Sequence, residues 1–210
     1  MLNSVWVVEE IGLNILCLDL EGVLIPEIWQ AVAERPGLGD LNKTTRDIPD
    51  YGELMRYRMD VLARADLRFS TIRTVIDGLE PLPGARAFLD WARQDRQVII
   101  VSDTFYEFAN PLMAKLGHPT LFCHHLKVRD DRIAGYQLRQ PDPKRNVVKA
   151  LKSLNFPVMA AGDSYNDIPM LEEADKGVLF SAPQRVRREH PQFAAAESYG
   201  ELQALLGGSP

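Results

Sequence analysis

Short apolar runs alternate along most of the chain with segments whose apolar residues recur at helical intervals, and this alternation limits the possible folds most strongly. Strand-length runs joined by helices are typical of a parallel sheet that is buried on both faces. The sequence therefore predicts an α/β fold with a Rossmann-like parallel sheet as its core. The predicted strands are 14–18, 97–102, 158–162 and 177–180, and the predicted helices of this core are 85–93, 105–116 and 165–174.

The strand signal disappears between residues 27 and 82, where 51–62 and 72–79 carry apolar residues at helical spacing. This pattern predicts a small helical cap inserted into the α/β core. Two prolines and a glycine at positions 81, 83 and 84 interrupt regular structure and predict a hinge at the return to the core. The predicted division is an N-terminal extension (1–13), a catalytic α/β core (14–26 and 83–210) and a helical cap (27–82).

Alternating residues on both sides of Asp130-Asp131 predict a β-hairpin over 125–138, at an edge of the sheet. Helix-period spacing also predicts a helix that begins near Lys144. The basic residues Arg185, Arg187 and Arg188 are expected to form the solvated face of another helix, because no aromatic platform for nucleic acid accompanies them.

Composition narrows the functional classes. The net charge of -5 over 210 residues argues against nucleic acid as a partner, and the apolar runs are too short to span a membrane. The two cysteines, Cys17 and Cys123, lie in apolar stretches and are expected to be reduced core thiols, which favours a cytoplasmic location over an oxidising compartment. The first residues lack the pattern of a signal peptide.

Acidic residues follow two of the predicted strands. Asp19 and Glu21 come directly after 14–18, and Asp163 and Asp167 come after 158–162. Ligands of open α/β sheets bind at the carboxyl ends of strands, where these acids would repel one another without a divalent cation. An oxygen-only ligand set favours magnesium. The alternatives are a surface turn at Asp19 and a helix cap at Asp163.

Two further positions suit a phosphate group. Strand 97–102 ends at Ser102, where a hydroxyl and the N–H groups of the next turn could hold phosphate oxygens at a helix start. Lys144 could supply a fixed positive charge at the start of its helix. A helix cap at Ser102 and a solvated lysine at position 144 are the alternatives.

In chain order these elements are an Asp-x-(Asp/Glu) strand end, a Ser strand end, a Lys and a Gly-Asp-x-x-x-Asp loop, and together they resemble the signature of haloacid dehalogenase superfamily phosphatases. The resemblance implies the haloacid dehalogenase fold with its inserted cap. Segments 102–105 and 162–167 look like those of the phosphoserine phosphatase family. Segments 19–23, 45–51 and 135–140 resemble the bifunctional phosphoserine phosphatase/homoserine phosphotransferase subgroup, which shares Glu21 where most of the superfamily has Asp.

The resemblance implies roles for the acidic residues. Asp19 would be the nucleophile that forms an aspartyl-phosphate, and Glu21 would be the general acid and base. Mg²⁺ would be held by Asp19, by the backbone carbonyl of Glu21 and by Asp163, with Asp167 supporting the metal site.

The resemblance also implies how phosphoserine would be bound. Ser102, the Asp103 backbone and Lys144 would contact the phosphoryl group, and Asn166 would lie in the same pocket. Glu27 would bind the ammonium group and Arg58 the carboxylate, although solvated helix charges are the alternative for both. Homoserine would be a possible second acceptor. The competing functions are hydrolysis of another small phosphorylated metabolite and phospho-ligand binding without catalysis.

One pair of residues is expected to have no role in the site. His124-His125 lacks a nearby metal-ligand pattern, so two partly exposed histidines are expected here and not a zinc site.

Overall fold

The computed structural model describes residues 13–35, 37–44, 47–48 and 50–207. Seven strands form one sheet in these residues: β1 (Asn14–Leu18), β2 (Arg96–Phe105), β3 (Thr120–Arg129), β4 (Arg132–Gln137), β5 (Val158–Gly162), β6 (Lys176–Phe180) and β7 (Ala194–Ala196). Their spatial order is β4-β3-β2-β1-β5-β6-β7. Neighbouring strands are parallel except β3 and β4, which form the predicted antiparallel hairpin at one edge. The predicted α/β fold is confirmed.

The described helices are α1 (Ile28–Ala33), α2 (Tyr51–Arg64), α3 (Phe69–Asp77), α4 (Ala85–Ala92), α5 (Tyr106–Lys115), α6 (Pro143–Ser153), α7 (Ile168–Glu173), α8 (Gln184–Glu189) and α9 (Tyr199–Leu206), with short 3₁₀ helices at Gly39–Asn42 and Tyr165–Asp167. Helical structure alone is assigned to the described part of 27–82, as predicted. The division into core, cap and extension stays a prediction, and residues 1–12 lie outside the described residues.

Both faces of the sheet are buried. Successive side chains of a strand point to opposite faces, and each face of β1 packs into a different hydrophobic cluster. In β1, Leu16 and Leu18 belong to one hydrophobic cluster, whereas Ile15 and Cys17 belong to another. Both cysteines are buried free thiols, and burial raises the pKa of the Cys17 thiol to about 12. No helix among the described residues is long and apolar enough to cross a membrane.

Two boundaries near the predicted site were wrong. Strand β2 does not end at Ser102; it continues to Phe105, and α5 begins only at Tyr106. Strand β3 begins at Thr120, five positions before the predicted hairpin. The pairing of β2 with β3 is irregular between Val101 and Phe105, and this irregularity explains why a simple apolar run did not show where β2 ends.

The hairpin connects the sheet to the helical segment 27–82. The Asp131 carboxylate accepts hydrogen bonds from the Ser70 N–H at 2.8 Å and from the Ser70 hydroxyl at 2.6 Å. Its carbonyl oxygen accepts from the Phe69 N–H at 2.8 Å. Because no side chain of α3 itself caps the first turn, Asp131 supplies this cap from a different part of the fold. An ion pair between Asp66 and Arg132 adds a second contact.

The return from the helical segment to the sheet is held by backbone contacts. The Leu82 N–H donates to the Leu24 carbonyl at 2.9 Å, and Lys115 Nζ donates to the Asp77 and Leu79 carbonyls at 3.0 and 2.6 Å. Gly84 has a φ of 89°, which a residue with a side chain rarely adopts, and α4 follows it. Hinge motion at this segment stays a prediction.

Candidate active site

The ends of β1 and β5 place acids from two distant parts of the chain side by side. The Asp19 N–H donates to the Ala161 carbonyl at 3.0 Å, so the pairing of β1 with β5 continues as far as Asp19. Asp19 is only 4% exposed and Asp163 only 9%. The carboxyl end of the central parallel pair therefore carries a buried group of acids, at the edge of the sheet where the sequence predicted them.

Two glycines make room for the acidic side chains of the site. Gly22 has a φ of +76°, and a Cβ at this position would lie 2.8 Å from the Asp163 Cγ. A Cβ on Gly162 would lie 2.3 Å from the Asp167 Cγ. A side chain at position 22 would push Asp163 away, so the loop after β1 can approach the loop after β5 this closely only with glycine there. A side chain at position 162 would instead displace Asp167 within the loop after β5.

Lys144 lies at the centre of these acids. From the first turn of α6, its Nζ is 2.6 Å from Asp167 Oδ1, 3.0 Å from Asp19 Oδ1 and 3.7 Å from Asp103 Oδ2. Lys144 is 2% exposed, which rules out the solvated alternative. We call Lys144 together with Asp19, Asp103, Asp163 and Asp167 the carboxylate–lysine cluster.

One ammonium group does not neutralise four carboxylates, and the pKa values show the imbalance. Burial, followed by the charge of Asp167, raises the pKa of Asp19 well above its usual range. Burial and the charges of Asp167 and Glu27 raise the pKa of Asp163 to about 7. Oxygen atoms of Asp19, Asp163 and Asp167 all lie within 4.8 Å of one another. A divalent cation with oxygen ligands fits this group, because its charge would allow the acids to ionise together.

Both oxygens of Asp167 are already engaged by the protein. Oδ1 accepts from Lys144, and Oδ2 accepts from the N–H groups of Asp163 and Ser164 at 2.9 and 3.0 Å. Ser164, not Asp163, caps the 3₁₀ helix that follows β5, so the alternative reading of Asp163 as a helix cap is wrong. Asp167 thus organises the loop that carries Asp163.

Glu21 lies next to the cluster and faces the helical segment. Its Oε2 accepts a hydrogen bond from the Ile28 N–H at 2.8 Å at the start of α1. Burial raises the pKa of Glu21, and this effect outweighs the opposing hydrogen bonds of Ile28 and Thr104 and the charge of Arg58. A carboxyl group that keeps its proton more readily than usual is suited to general acid catalysis.

Ser102 and Asp103 lie on the irregular end of β2, beside the cluster. Ser102 is 3% exposed, and its Oγ accepts from the Thr104 N–H at 3.3 Å. The Asp103 carboxylate accepts from Asn166 Nδ2 at 2.8 Å. Asn166 is therefore anchored to Asp103, at the same carboxylate oxygen that Lys144 approaches.

Arg58 reaches the site from the inner face of α2. It is 7% exposed, its Nη2 donates to the Lys43 carbonyl at 3.0 Å, and its guanidinium lies 4.8 Å from the centre of the Trp29 ring. Its Nε is buried with no hydrogen-bond partner among the described residues. Arg58 has favourable electrostatic interactions with Glu21 and Glu27. The solvated alternative is therefore wrong for Arg58. Glu27 is partly buried and close enough to interact electrostatically with the Arg58 guanidinium.

Sequence reasoning missed two residues beside the site. The Tyr51 hydroxyl donates to the Asp103 carbonyl at 2.9 Å, across from α2 to β2. His124 is 1% exposed, so the expectation of two partly exposed histidines was wrong for this residue. Alternation along β3 turns His124 inward and His125 outward, a signal hidden because the strand was expected to begin at His125. Thr45, Arg46 and Pro49 of the resembling segment lie outside the described residues.

The basic residues of α8 are exposed or partly exposed, and two of them form ion pairs. Arg185 Nε lies 2.8 Å from Glu189 Oε1, and Arg187 pairs with Glu197. Acidic neighbours thus balance the charges of Arg185 and Arg187.

Comparison with known proteins adds independent findings. Residues 13–175 match the family described as haloacid dehalogenase-like hydrolase. The chain is 57% identical over 191 residues to phosphoserine phosphatase ThrH of Pseudomonas aeruginosa, which covers 90% of this chain and 93% of the relative. It is 56% identical over 196 residues to phosphoserine phosphatase of Pseudomonas syringae pv. tomato, covering 93% of this chain and 83% of the relative.

A solved structure supports the fold. The phospho-aspartyl intermediate analogue of a phosphoserine phosphatase matches with a TM-score of 0.77 at 20% identity, covering 92% of this chain and 98% of that one. At this identity the likeness concerns the arrangement of the strands and helices.

Proposed function

The chain belongs to the haloacid dehalogenase-like hydrolases, within the phosphoserine phosphatase family, and from this premise we propose that it is a magnesium-dependent phosphoserine phosphatase that acts through an aspartyl-phosphate on Asp19. The observation that carries the proposal is the buried contact of Lys144 with Asp19, 3.0 Å apart at the end of β1. The contact supports the proposal, because a fixed positive charge beside Asp19 would attract a phosphoryl group to this carboxylate.

In the first half of the reaction, an Asp19 carboxylate oxygen attacks phosphorus and the bond from phosphorus to the serine oxygen breaks. Glu21 donates its proton to the departing oxygen, which leaves as the serine hydroxyl. The raised pKa of Glu21 supports this role, since the group must hold a proton before the step.

In the second half, the Glu21 carboxylate takes a proton from water as the water oxygen attacks phosphorus. The bond from phosphorus to Asp19 breaks, inorganic phosphate leaves, and both carboxyl groups return to their starting states. Glu21 can serve first as acid and then as base, because the proton that it gives to the serine oxygen in the first half is replaced by a proton from water in the second.

Mg²⁺ would be held by Asp19, by the Glu21 backbone carbonyl and by Asp163, with Asp167 supporting the site through its contacts with Lys144 and the Asp163 N–H. When bound, the ion would offset the negative charge of the phosphoryl oxygens. Ser102, the Asp103 backbone and Lys144 would bind those oxygens, with Asn166 lining the pocket.

Arg58 and Glu27 are proposed to recognise the amino-acid part of the substrate. The buried Arg58 Nε lacks a hydrogen-bond partner among the described residues, and a planar guanidinium suits a carboxylate. Glu27, at the start of α1, would bind the ammonium group. These residues lie in 27–82, which we propose to be a cap over a catalytic core formed by 14–26 and 83–210.

Transfer of the phosphoryl group to homoserine is a second proposed activity. It is favoured by the subgroup resemblance at Glu21 and at 135–140, where the Tyr136 ring packs edge-on against Tyr51 with their centres 6.4 Å apart. A site that orients the ammonium and carboxylate groups of serine could hold homoserine with its hydroxyl near the aspartyl-phosphate.

The test is phosphate release from phosphoserine, phosphothreonine and sugar phosphates, with magnesium or EDTA, repeated with added homoserine. The proposal expects preference for phosphoserine, loss of activity in EDTA, and phosphohomoserine detectable by phosphorus NMR. Preference for a sugar phosphate would indicate a phosphatase for another metabolite. Binding of phosphoserine without turnover would indicate a non-catalytic protein, and phosphate equal to released serine at saturating homoserine would exclude transfer.

The buried thiols Cys17 and Cys123 support a proposed cytoplasmic location, because reduced cysteines persist in that compartment.

A further inference from the structure

The end of β2 departs from regular pairing at the residues proposed to bind phosphate. Val101 pairs with Phe122 and Phe105 pairs with His124, so three residues of β2 lie opposite Cys123 alone. A bulge of this kind removes backbone groups from the ladder and re-aims side chains. The position of Ser102, Asp103 and Thr104 must therefore depend on contacts other than the sheet.

Asp103 makes such contacts through both its backbone carbonyl and its side-chain carboxylate. Its carbonyl accepts from Tyr51, its Oδ2 accepts from Asn166, and its Oδ1 lies 3.6 Å from His124 Nε2. Burial by itself would raise the pKa of Asp103, but Lys144, His124 and Asn166 outweigh it and hold the pKa at about 2. Asp103 is thus an anion fixed by neighbouring elements.

His124 has a defined orientation. Its Nδ1 accepts a hydrogen bond from the Arg139 N–H at 3.1 Å, so in the neutral ring the proton is on Nε2, which faces Asp103. The distance of 3.6 Å is long for a hydrogen bond, and the attraction is mainly between the N–H dipole and the carboxylate charge. Since the ring is 1% exposed, little water screens this attraction.

We propose that His124 is a positioning residue for the bulged segment Ser102–Thr104: its Nε2–H orients the Asp103 carboxylate and so fixes the backbone groups that receive the phosphoryl oxygens. The inference rests on the proposed function, because it assigns phosphate binding to that segment. His124 itself touches neither the nucleophile nor Lys144 in any contact shown by the described residues.

Two substitutions separate the ring's two contacts. Gln at position 124 can place an N–H where Nε2 lies, so H124Q keeps the donor that faces Asp103. Asn can place an oxygen where Nδ1 lies, so H124N keeps the acceptor that faces Arg139. If His124 serves to anchor the segment after β4 through Arg139, H124N should preserve its function. If it serves to orient Asp103, H124Q should preserve its function.

The full-length wild type and both variants are compared with magnesium present, by calorimetric binding of inorganic phosphate and by kcat and KM on phosphoserine. We expect H124Q to bind phosphate within a few-fold of wild type, and H124N to bind about tenfold more weakly with a comparable loss in kcat/KM. Wild-type phosphate affinity in H124N, or equal weakening in both variants, overturns the proposal.

One measurement needs no variant. Nitrogen-15 NMR of the histidine rings in the wild-type protein should show the His124 proton on Nε2, with Nδ1 unprotonated. A proton on Nδ1 would contradict the proposal even if neither variant folds. Phosphate binding also separates this inference from the proposed function: a wild type that binds phosphate but does not hydrolyse phosphoserine sinks only the latter.

Discussion

The carboxylate–lysine cluster and the hairpin contact with α3 are both built from charged and polar groups, yet they differ in burial. Lys144 and Asp167 are 2% and 0% exposed. Backbone N–H groups hold the Asp167 carboxylate, and Gly162 leaves room for it because it has no Cβ. Asp131 and Ser70 make equally short contacts at the surface. Water can replace the surface contacts but not those of the cluster.

The residues proposed for phosphoryl transfer and those proposed to recognise the amino-acid part of the substrate also lie in different parts of the molecule. Groups proposed to carry out phosphoryl transfer come from the ends of sheet strands and, for Lys144, from the first turn of α6, whereas Glu27 and Arg58 come from the helical segment 27–82. Changes in the cluster should therefore alter turnover or unfold the protein. Changes in the helical segment should alter substrate choice or local stability.

The largest expected effect comes from Asp19→Asn. The amide cannot act as the anionic nucleophile, so phosphoserine turnover should fall by about a thousandfold or more. The fold should survive, because Asp19 is crowded by Asp163 and Asp167, and removal of its charge relieves repulsion. Turnover and urea unfolding check the two halves of this prediction; near-wild-type hydrolysis would refute the assignment of Asp19.

Lys144→Met should cause the largest loss of stability. Removal of the ammonium leaves buried carboxylates without their partner, at a cost of about 3 kcal/mol in the free energy of unfolding. Lys149→Met, also in α6 but with a side chain 54% exposed, is the matched control and should change stability little. Equal unfolding midpoints in urea for the two variants would show that the cluster does not depend on Lys144.

Arg58→Ala should alter recognition more than chemistry. Loss of a guanidinium that binds the substrate carboxylate should raise the KM for phosphoserine about tenfold or more and leave the KM for p-nitrophenyl phosphate nearly unchanged. Arg56→Ala, whose side chain is 69% exposed in the same helix, is the control. Equal changes on both substrates would remove Arg58 from amino-acid recognition.

The smallest effect is expected at the hairpin. Asp131→Gly removes the cap on α3, whereas Asp130→Gly provides a control at a similar backbone conformation, since φ is 58° and 49° at the two positions. The melting temperature of Asp131→Gly should be a few degrees lower than that of Asp130→Gly, with kcat preserved. Identical melting temperatures would mean that water replaces the Asp131 cap without loss.

Much of the molecule could be predicted from the sequence because strand periodicity and strand-end acids are local patterns. The run 14–18 followed by Asp19, and the run 158–162 followed by Asp163, indicated both the buried strands and the acidic site. Two helices of 27–82, α2 and α3, were also visible in their apolar spacing, whereas α1 was not predicted. These features need only neighbours along the chain.

The rest depends on contacts between distant segments. No local pattern shows that β2 would continue past Ser102 with a bulge, because the bulge arises from its pairing with β3. Burial of Lys144 depends on acids from three other elements, and an isolated lysine at a helix start gives no sign of them. The inward orientation of His124 follows from alternation along a strand that begins at Thr120, and the sequence did not indicate that start.

The central position of β1 has a consequence for biosynthesis. Its two neighbours in the sheet are β2 and β5, so Asp19, the first acid of the cluster to be synthesised, meets its last partners only after β5 has been made. A nascent chain that ends before Val158 carries Asp19 and Lys144 but lacks Asp163 and Asp167. Competence for catalysis should therefore appear late in translation, after most of the sheet has been synthesised.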